Sequence, residues 1–474
     1  MSIDDLELNI DDSYIPLLGN LKEEYKVDFF LARFNNSIST NIKIDFGKMK
    51  ISHISQNHGF SILVYLNGNK GFAVGNEISK NLIEEKFREA YKLAKYSELL
   101  DSNNSNKNMK IKELDPIKVK IKTPQKKNLL DINIEDKLKF LLDEDKKAKN
   151  YDKRIINTNS IYGDAVSKDI IITSDKRIIE SISSLARIMI FSYSKENDIY
   201  ESSRVSVGIT GGFEIVDIAN DIGLKASERA VEILSAKSVK AGKYDIIMDP
   251  FLTGTFIHEA FGHACEADAI LANESILKGM IGKKLGPDFI NVVNDSRLEN
   301  KFGTYFYDSE GVESKKQYLI KNGILNSFLH SRETSSKMNV EPTGNARAAS
   351  YSDLPIVRMS NTYIEKGDWS LEELIGEMKN GLLCENWNYG YTQPNIGNFM
   401  FKMERAWKIE NGEKKELLRD AAISGLVLDV LNNIRAISKD LKLDPGICGK
   451  QGQYVPVSAG GPCVFIKNMV IGGL

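Results

Sequence analysis

Two periods of hydrophobicity run through the first 240 residues. Residues 60–66 (FSILVYL) and 186–194 (ARIMIFSYS) alternate in the manner of half-buried strands. Between them, residues 76–100 place Ile78, Leu82, Phe87, Ala90, Leu93 and Ala94 near helical spacing, which predicts a long helix. The polar run DSNNSNKN (101–108) reads as a loop, and Asn133 is placed to cap a second helix over 134–149. A third amphipathic pattern covers 217–242 and leads to a turn. YDIIMD (244–249) predicts a short buried strand. Pro250 then suits the first position of another helix, where a missing N–H costs nothing.

After residue 300 the texture changes to short apolar runs punctuated by glycine. KNG (321–323) and ENG (410–412) sit between such runs and predict hairpins, and PCVFIKNMVIGGL (462–474) predicts a last strand. The expectation is an α+β fold: a mixed α/β N-terminal domain over 1–240, then a β-rich domain of mostly antiparallel strands over 241–474.

Composition narrows the function classes. Of 474 residues, 42% are apolar and 27% charged, the mixture of a folded chain. A formal net charge of −2 gives no basic footprint for nucleic acid. No run reaches the ~20 apolar residues of a membrane helix. The acidic start MSIDDLELNIDDSYIPLL lacks the basic and apolar regions of a signal or transit peptide. Four sparse cysteines fit reduced thiols better than a disulfide scaffold, so a cytoplasmic setting is expected. The chain has only five histidines, and two of them lie five residues apart in FIHEAFGHACEAD (256–268).

In the zinc motif H-E-x-x-H the two imidazoles are four residues apart, about 40° around a helix, so both face one ion. His258 and His263 are five apart, about 140° around a regular α-helix. A π-bulge would return them to one face, and Gly262 lowers the steric cost of that distortion. The plainer reading is two satisfied core histidines on an apolar helix. Glu259 between them tells against it, because a carboxylate there needs a partner that a metal and its water would provide. A catalytic zinc needs a third protein ligand. Cys265 is on the same helix and expected to point away, Glu274 has no distinguishing context, and Cys384 and Cys463 look like core thiols. Cys448, in DPGICGKQGQ, has flanking glycines and Lys450 nearby, a setting for a thiolate ligand, with a reactive thiol or a structural thiol as the alternatives.

HEAFGHACEAD together with GICGKQGQ resembles the TldD/PmbA family of metalloproteases, the TldD-type subunit in particular. The resemblance runs from about VGITGG (207–212) through GKYDIIMDP, YDSEG (307–311), LIKNGILNSFLHSRETS, TGNARA (343–348) and VRMSNTYIEKGD to CGKQGQYVPVSAGGP. It implies that His258 and His263 bind zinc, that Cys448 is the third ligand, and that Glu259 is the general base. It also implies a peptidase acting on unfolded or short peptides, as a homodimer or with a related subunit that lacks the metal motif. Two other functions remain: a peptide-binding or assembly subunit with a structural zinc, and a redox-sensitive protein using Cys448.

Weaker candidates accompany these. Glu266 and Asp268 are placed to support the histidines or to form a solvated helix end. Asn361 and Tyr363 could line a sheet edge that receives a peptide, or belong to an ordinary strand. Asp308 and Glu310 fit a turn completed by Gly311 better than a polar site. Arg347 fits a structural ion pair better than a carboxylate anchor.

Overall fold

In the computed structural model, which describes residues 6–8, 10–100 and 109–473, the alternating segments extend into long strands. The run 101–108 lies outside the described residues. Residues 60–66 are one end of the strand Lys48–Leu66, and 186–194 lie inside Arg177–Glu196. Seven strands form the first sheet. Its order is Asn69–Gly75, Lys48–Leu66, Phe29–Asp45, Ile155–Thr173 and Arg177–Glu196, and the last pairs with both Ile117–Lys122 and Ile199–Thr210. Alternation sets the two faces of Arg177–Glu196. Ala186, Ile188 and Ile190 are buried in the core, while Arg187, Met189 and Phe191 face the other way.

Helices cover the apolar face. Lys80–Leu100 buries Ile83, Phe87, Ala90 and Ala94, and Asn133 caps Ile134–Lys149 by accepting from the Asp136 N–H at 2.7 Å. The third helix is shorter than its sequence pattern predicts, running only over Ile222–Leu234. Asp221, at φ 62°, breaks it from the turn Ile215–Ile218. Its start is fixed by the Glu144 carboxylate, which accepts the N–H groups of Asp221 and Gly223. Beyond Ser235 the chain leaves the helix to add the strands Lys237–Ser238 and Gly242–Met248 to another sheet.

That sheet has ten strands, with Gly242–Met248 between Val464–Gly473 (antiparallel) and Gly381–Glu385 (parallel). A six-stranded sheet runs Ile324–Leu325, Lys316–Lys321, Val292–Asp295, Asn361–Ile364, Gln453–Gly461 and Lys442–Lys450. Both expected hairpins form, each turning on an Asn-Gly pair with positive φ: Asn322 and Gly323, then Asn411 and Gly412. The fold is α+β. Apolar residues of both sheets form one buried cluster, which holds Leu252, Phe256, Ile257 and Phe261 of the histidine segment. Each of the last three is fully buried, worth roughly 1.5–3 kcal/mol of apolar burial.

Candidate metal centre

Pro250 opens the helix Pro250–Thr255, and Asp249 caps it by accepting the Leu252 N–H at 2.8 Å. The winding then loosens into a π-helix over Phe256–Gly262. The His263 N–H bonds to the His258 carbonyl, so one turn of five residues joins the two histidines. Their rings come to 5.1 Å between centroids at 82°. A regular helix would have separated them. Gly262 allows the turn to press on the core, because a Cβ there would meet the Met359 sulfur at 2.2 Å.

The third candidate arrives from 185 residues away. Lys442–Lys450 and Gln453–Gly461 form a hairpin at the edge of the six-stranded sheet, with Cys448 opposite Val455. Cys448 Sγ lies 3.5 Å from His263 Nε2. One donor atom each from His258, His263 and Cys448 fall within 4.8 Å of one another. Two nitrogens and a sulfur at this spacing suit zinc in donor type. His258 strengthens the fit: it is 3% exposed, and neither ring nitrogen makes a hydrogen bond among the described residues. A buried imidazole with both nitrogens unmatched is costly, and an ion would satisfy one of them.

Electrostatics favour a thiolate at Cys448. Burial opposes the Cys448 thiolate, yet the two imidazoles outweigh it and hold the thiol at about 5. Burial also opposes charge on His263, but Glu266 and Cys448 raise it well above its ordinary value. Glu266 is the support the sequence suggested. It is 1% exposed and its Oε2 lies 3.0 Å from His263 Nδ1. His263 and Lys450 overcome its burial and hold the carboxyl at about 2. Asp268 instead meets Lys450, whose Nζ donates to Asp268, to Glu266 at 2.9 Å and to the Val357 carbonyl. Sequence reasoning noted Lys450 only as a neighbour of Cys448. The strand's period of two was the available signal, since residues 448 and 450 share a face.

Glu259 stands apart from the buried donors. Its side chain is 39% exposed, with Oε2 3.8 Å from His263 Nε2. With His258, one of the three donors, it lines a cleft of about 260 Å³. The first sheet also lines it, through Arg187, Met189, Phe191 and Arg204.

The other sequence candidates lie elsewhere. Asn361 and Tyr363 do not form a receptive edge, because Asn361–Ile364 is an interior strand paired on both sides. The Asn361 side chain is spent on Gly303, Asp295 and Thr304. Asp308 accepts the N–H groups of Glu310 and Val312 in a turn where Gly311 takes φ 70°. Glu310 is buried and accepts the Arg332 N–H. Arg347 makes no ion pair among the described residues; it donates to the Met359 carbonyl and lies over the Tyr305 ring. Cys265, Cys384 and Cys463 are buried free thiols outside the donor group, and Glu274 is exposed.

Comparison with known proteins places the chain in a family. Residues 32–94, 127–234 and 241–473 match, in order, the PmbA/TldA metallopeptidase domain 1, central domain and C-terminal domain. The chain is 38% identical to a metalloprotease of Methanocaldococcus jannaschii over 92% of its length and 95% of that protein. It is 32% identical to a zinc metalloprotease TldD homolog of Saccharolobus solfataricus, over 95% of its length and 98% of that protein. The crystal structure of TldE from Thermococcus kodakarensis shares the fold, at TM-score 0.77 and 18% identity, over 96% of this chain and all of that one. With these matches spanning nearly its whole length, the chain belongs to the PmbA/TldA (TldD/PmbA) metallopeptidase family.

Proposed function

We propose that this chain is a zinc-dependent peptidase that cleaves unfolded or short peptides. One observation carries the reading: three convergent N, N and S donors lie beside an exposed carboxylate at a cleft. His258, His263 and Cys448 would hold the ion. Zinc would supply Lewis acidity toward the scissile carbonyl and the attacking water. Glu259 would take the proton of that water at a carboxylate oxygen and deliver it to the leaving amine. Glu266, accepting from His263 Nδ1, would fix the tautomer that leaves Nε2 as the donor beside Cys448. Residues 241–474 supply all of these groups, in keeping with a separate domain there.

Among the described residues no helix is long and apolar enough to cross a membrane. The working form we infer is cytoplasmic, a homodimer or a heterodimer with a related subunit lacking the metal motif.

The test uses Glu259→Gln. Zinc-loaded wild type should cleave members of a broad pool of flexible peptides. The variant should retain zinc and fold while losing at least 100-fold in rate, the lower range for a general base. Equal rates would remove Glu259 from the chemistry. No cleavage by wild type, with zinc bound, would favour a peptide-binding or assembly subunit.

A further inference from the structure

The cleft beside Glu259 holds two arginines whose structural contacts leave guanidinium donors unused. Arg187 and Arg204 lie on adjacent strands of the first sheet and line the same cleft, with Arg204 opposite Phe191. Arg204 pairs with one carboxylate, Asp444, 3.5 Å from its Nη2, and Arg187 makes no ion pair among the described residues. Arg187 donates through Nε to Ser206 at 3.0 Å and through Nη2 to the Pro445 carbonyl at 3.1 Å. Arg204 stacks over Trp387 at 5.3 Å. Arg187 Nη1 and Arg204 Nε and Nη1 make no hydrogen bond among the described residues. Glu259 does not neutralise this pair, since its nearest cation is His263.

Two guanidinium groups near one carboxylate, with donors to spare in a partly dry cleft, suit a second carboxylate. Met189 and Phe191 on the same wall add apolar surface for the aliphatic part of a residue. Burial pushes Arg187 down from its ordinary value, and Arg204 adds to that shift, so an arriving anion would relieve both. Asp444 offsets part of this shift, although burial pushes its own carboxyl up, to about 6.

We propose that Arg187 and Arg204 form a carboxylate-binding subsite, which makes this chain select peptides presenting a carboxylate at that wall of the cleft. The carboxylate is either the peptide's free C-terminus or an Asp or Glu side chain. The inference rests on the peptidase reading, because it takes the cleft beside Glu259 as the substrate's place.

The experiment measures binding by fluorescence anisotropy on the zinc-loaded full chain carrying Glu259→Gln, which holds peptides without cutting them. One flexible sequence without acidic residues is compared as free acid, as C-terminal amide, and as amide with one Glu introduced near its end. At least one carboxylate form should bind about tenfold or more tighter than the neutral amide, as a charge-assisted contact requires. Preference for the free acid alone assigns the C-terminus, and recovery by the Glu-bearing amide assigns a side chain. Adding Arg204→Gln should erase most of the difference. Equal binding of all three peptides overturns the proposal, whether or not the arginine variant folds. Wild type that cleaves all three alike would keep the peptidase and remove the subsite. Carboxylate preference without any cleavage by wild type would do the reverse.

Discussion

Gly254→Ala tests whether the fold sets the metal geometry. Gly254 lies in the last turn of the regular helix Pro250–Thr255, just before the π-turn, and packs directly on the strand Gln453–Gly461. A Cβ there would lie 2.4 Å from the Gly460 nitrogen and 2.6 Å from the Ala459 carbonyl carbon. Ordinary contact begins at 3.4 Å, so the helix must retreat by 3.4 − 2.4 = 1.0 Å. Both partners are backbone, so no side chain can absorb the change. Overpacking of this kind costs about 1–3 kcal/mol, against a helix-propensity gain of about 1 kcal/mol. The net is a loss of up to about 2 kcal/mol.

The retreat separates the histidines from the hairpin that carries Cys448. Zinc sites tolerate roughly ±0.2 Å in ligand distance, so affinity should fall at least tenfold, on the order of 1.4 kcal/mol. Chelator competition gives the affinity, and thermal unfolding with and without zinc gives the stability. Gly376→Ala is the control: it is exposed in the helix Leu371–Met378 with nothing within 4 Å of a Cβ. It should gain about 0.5–1 kcal/mol and leave zinc affinity unchanged. Wild-type stability and zinc affinity in Gly254→Ala would refute the reasoning.

Three further outcomes are expected. Lys450→Met removes a donor from Glu266 and should lower zinc affinity by about 10–100-fold, read by chelator competition; unchanged affinity would show that Glu266 needs no such anchor. Arg332→Met strands the buried Asp175 carboxylate, now 2.7 Å from Arg332 Nη1, and should cost about 3–5 kcal/mol in denaturant unfolding. A loss below about 1 kcal/mol would mean that the remaining donors, among them Leu114 N–H, suffice for Asp175. Burial, aided by Glu385 and Glu404, pushes the Asp249 carboxyl up from 3.8 to about 7. Its stabilising proton is fully present below pH ~4 and is lost as pH rises through about 7. Asp249→Asn keeps an acceptor for Leu252 and should remove this decline, on the order of 1 kcal/mol per pH unit across the window. Parallel pH–stability curves for the two proteins would contradict it.

What the sequence disclosed followed short-range physics. Asn-Gly turns, the Asn133 cap and the Pro250 helix start depend on a few neighbouring residues, and each is found where its signal lay. The five-residue histidine spacing was informative because only a π-turn brings such a pair together. Cys448 stood out through its glycine-flanked setting and its resemblance to a family motif, although no local signal gives the 3.5 Å contact with His263. Long-range packing was hidden. The 217–242 pattern is amphipathic throughout, and its true limits come from Glu144 on another helix and from strands that recruit its end. Asn361 and Tyr363 lie in an interior strand because residues 292–295 and 453–461 pair with it from both sides. Arg187 and Arg204 gave no signal, because only the docking of the first sheet brings them to the cleft.

The most direct measurement is zinc per chain, by elemental analysis of purified wild type and Cys448→Ser after zinc is offered and excess removed. About one zinc per wild-type chain, lost or greatly reduced in Cys448→Ser, is the result expected from three donors converging within 4.8 Å. Zinc retained in full by the variant would contradict Cys448 as a ligand. No zinc in wild type would contradict the metal centre itself and return both histidines to the core.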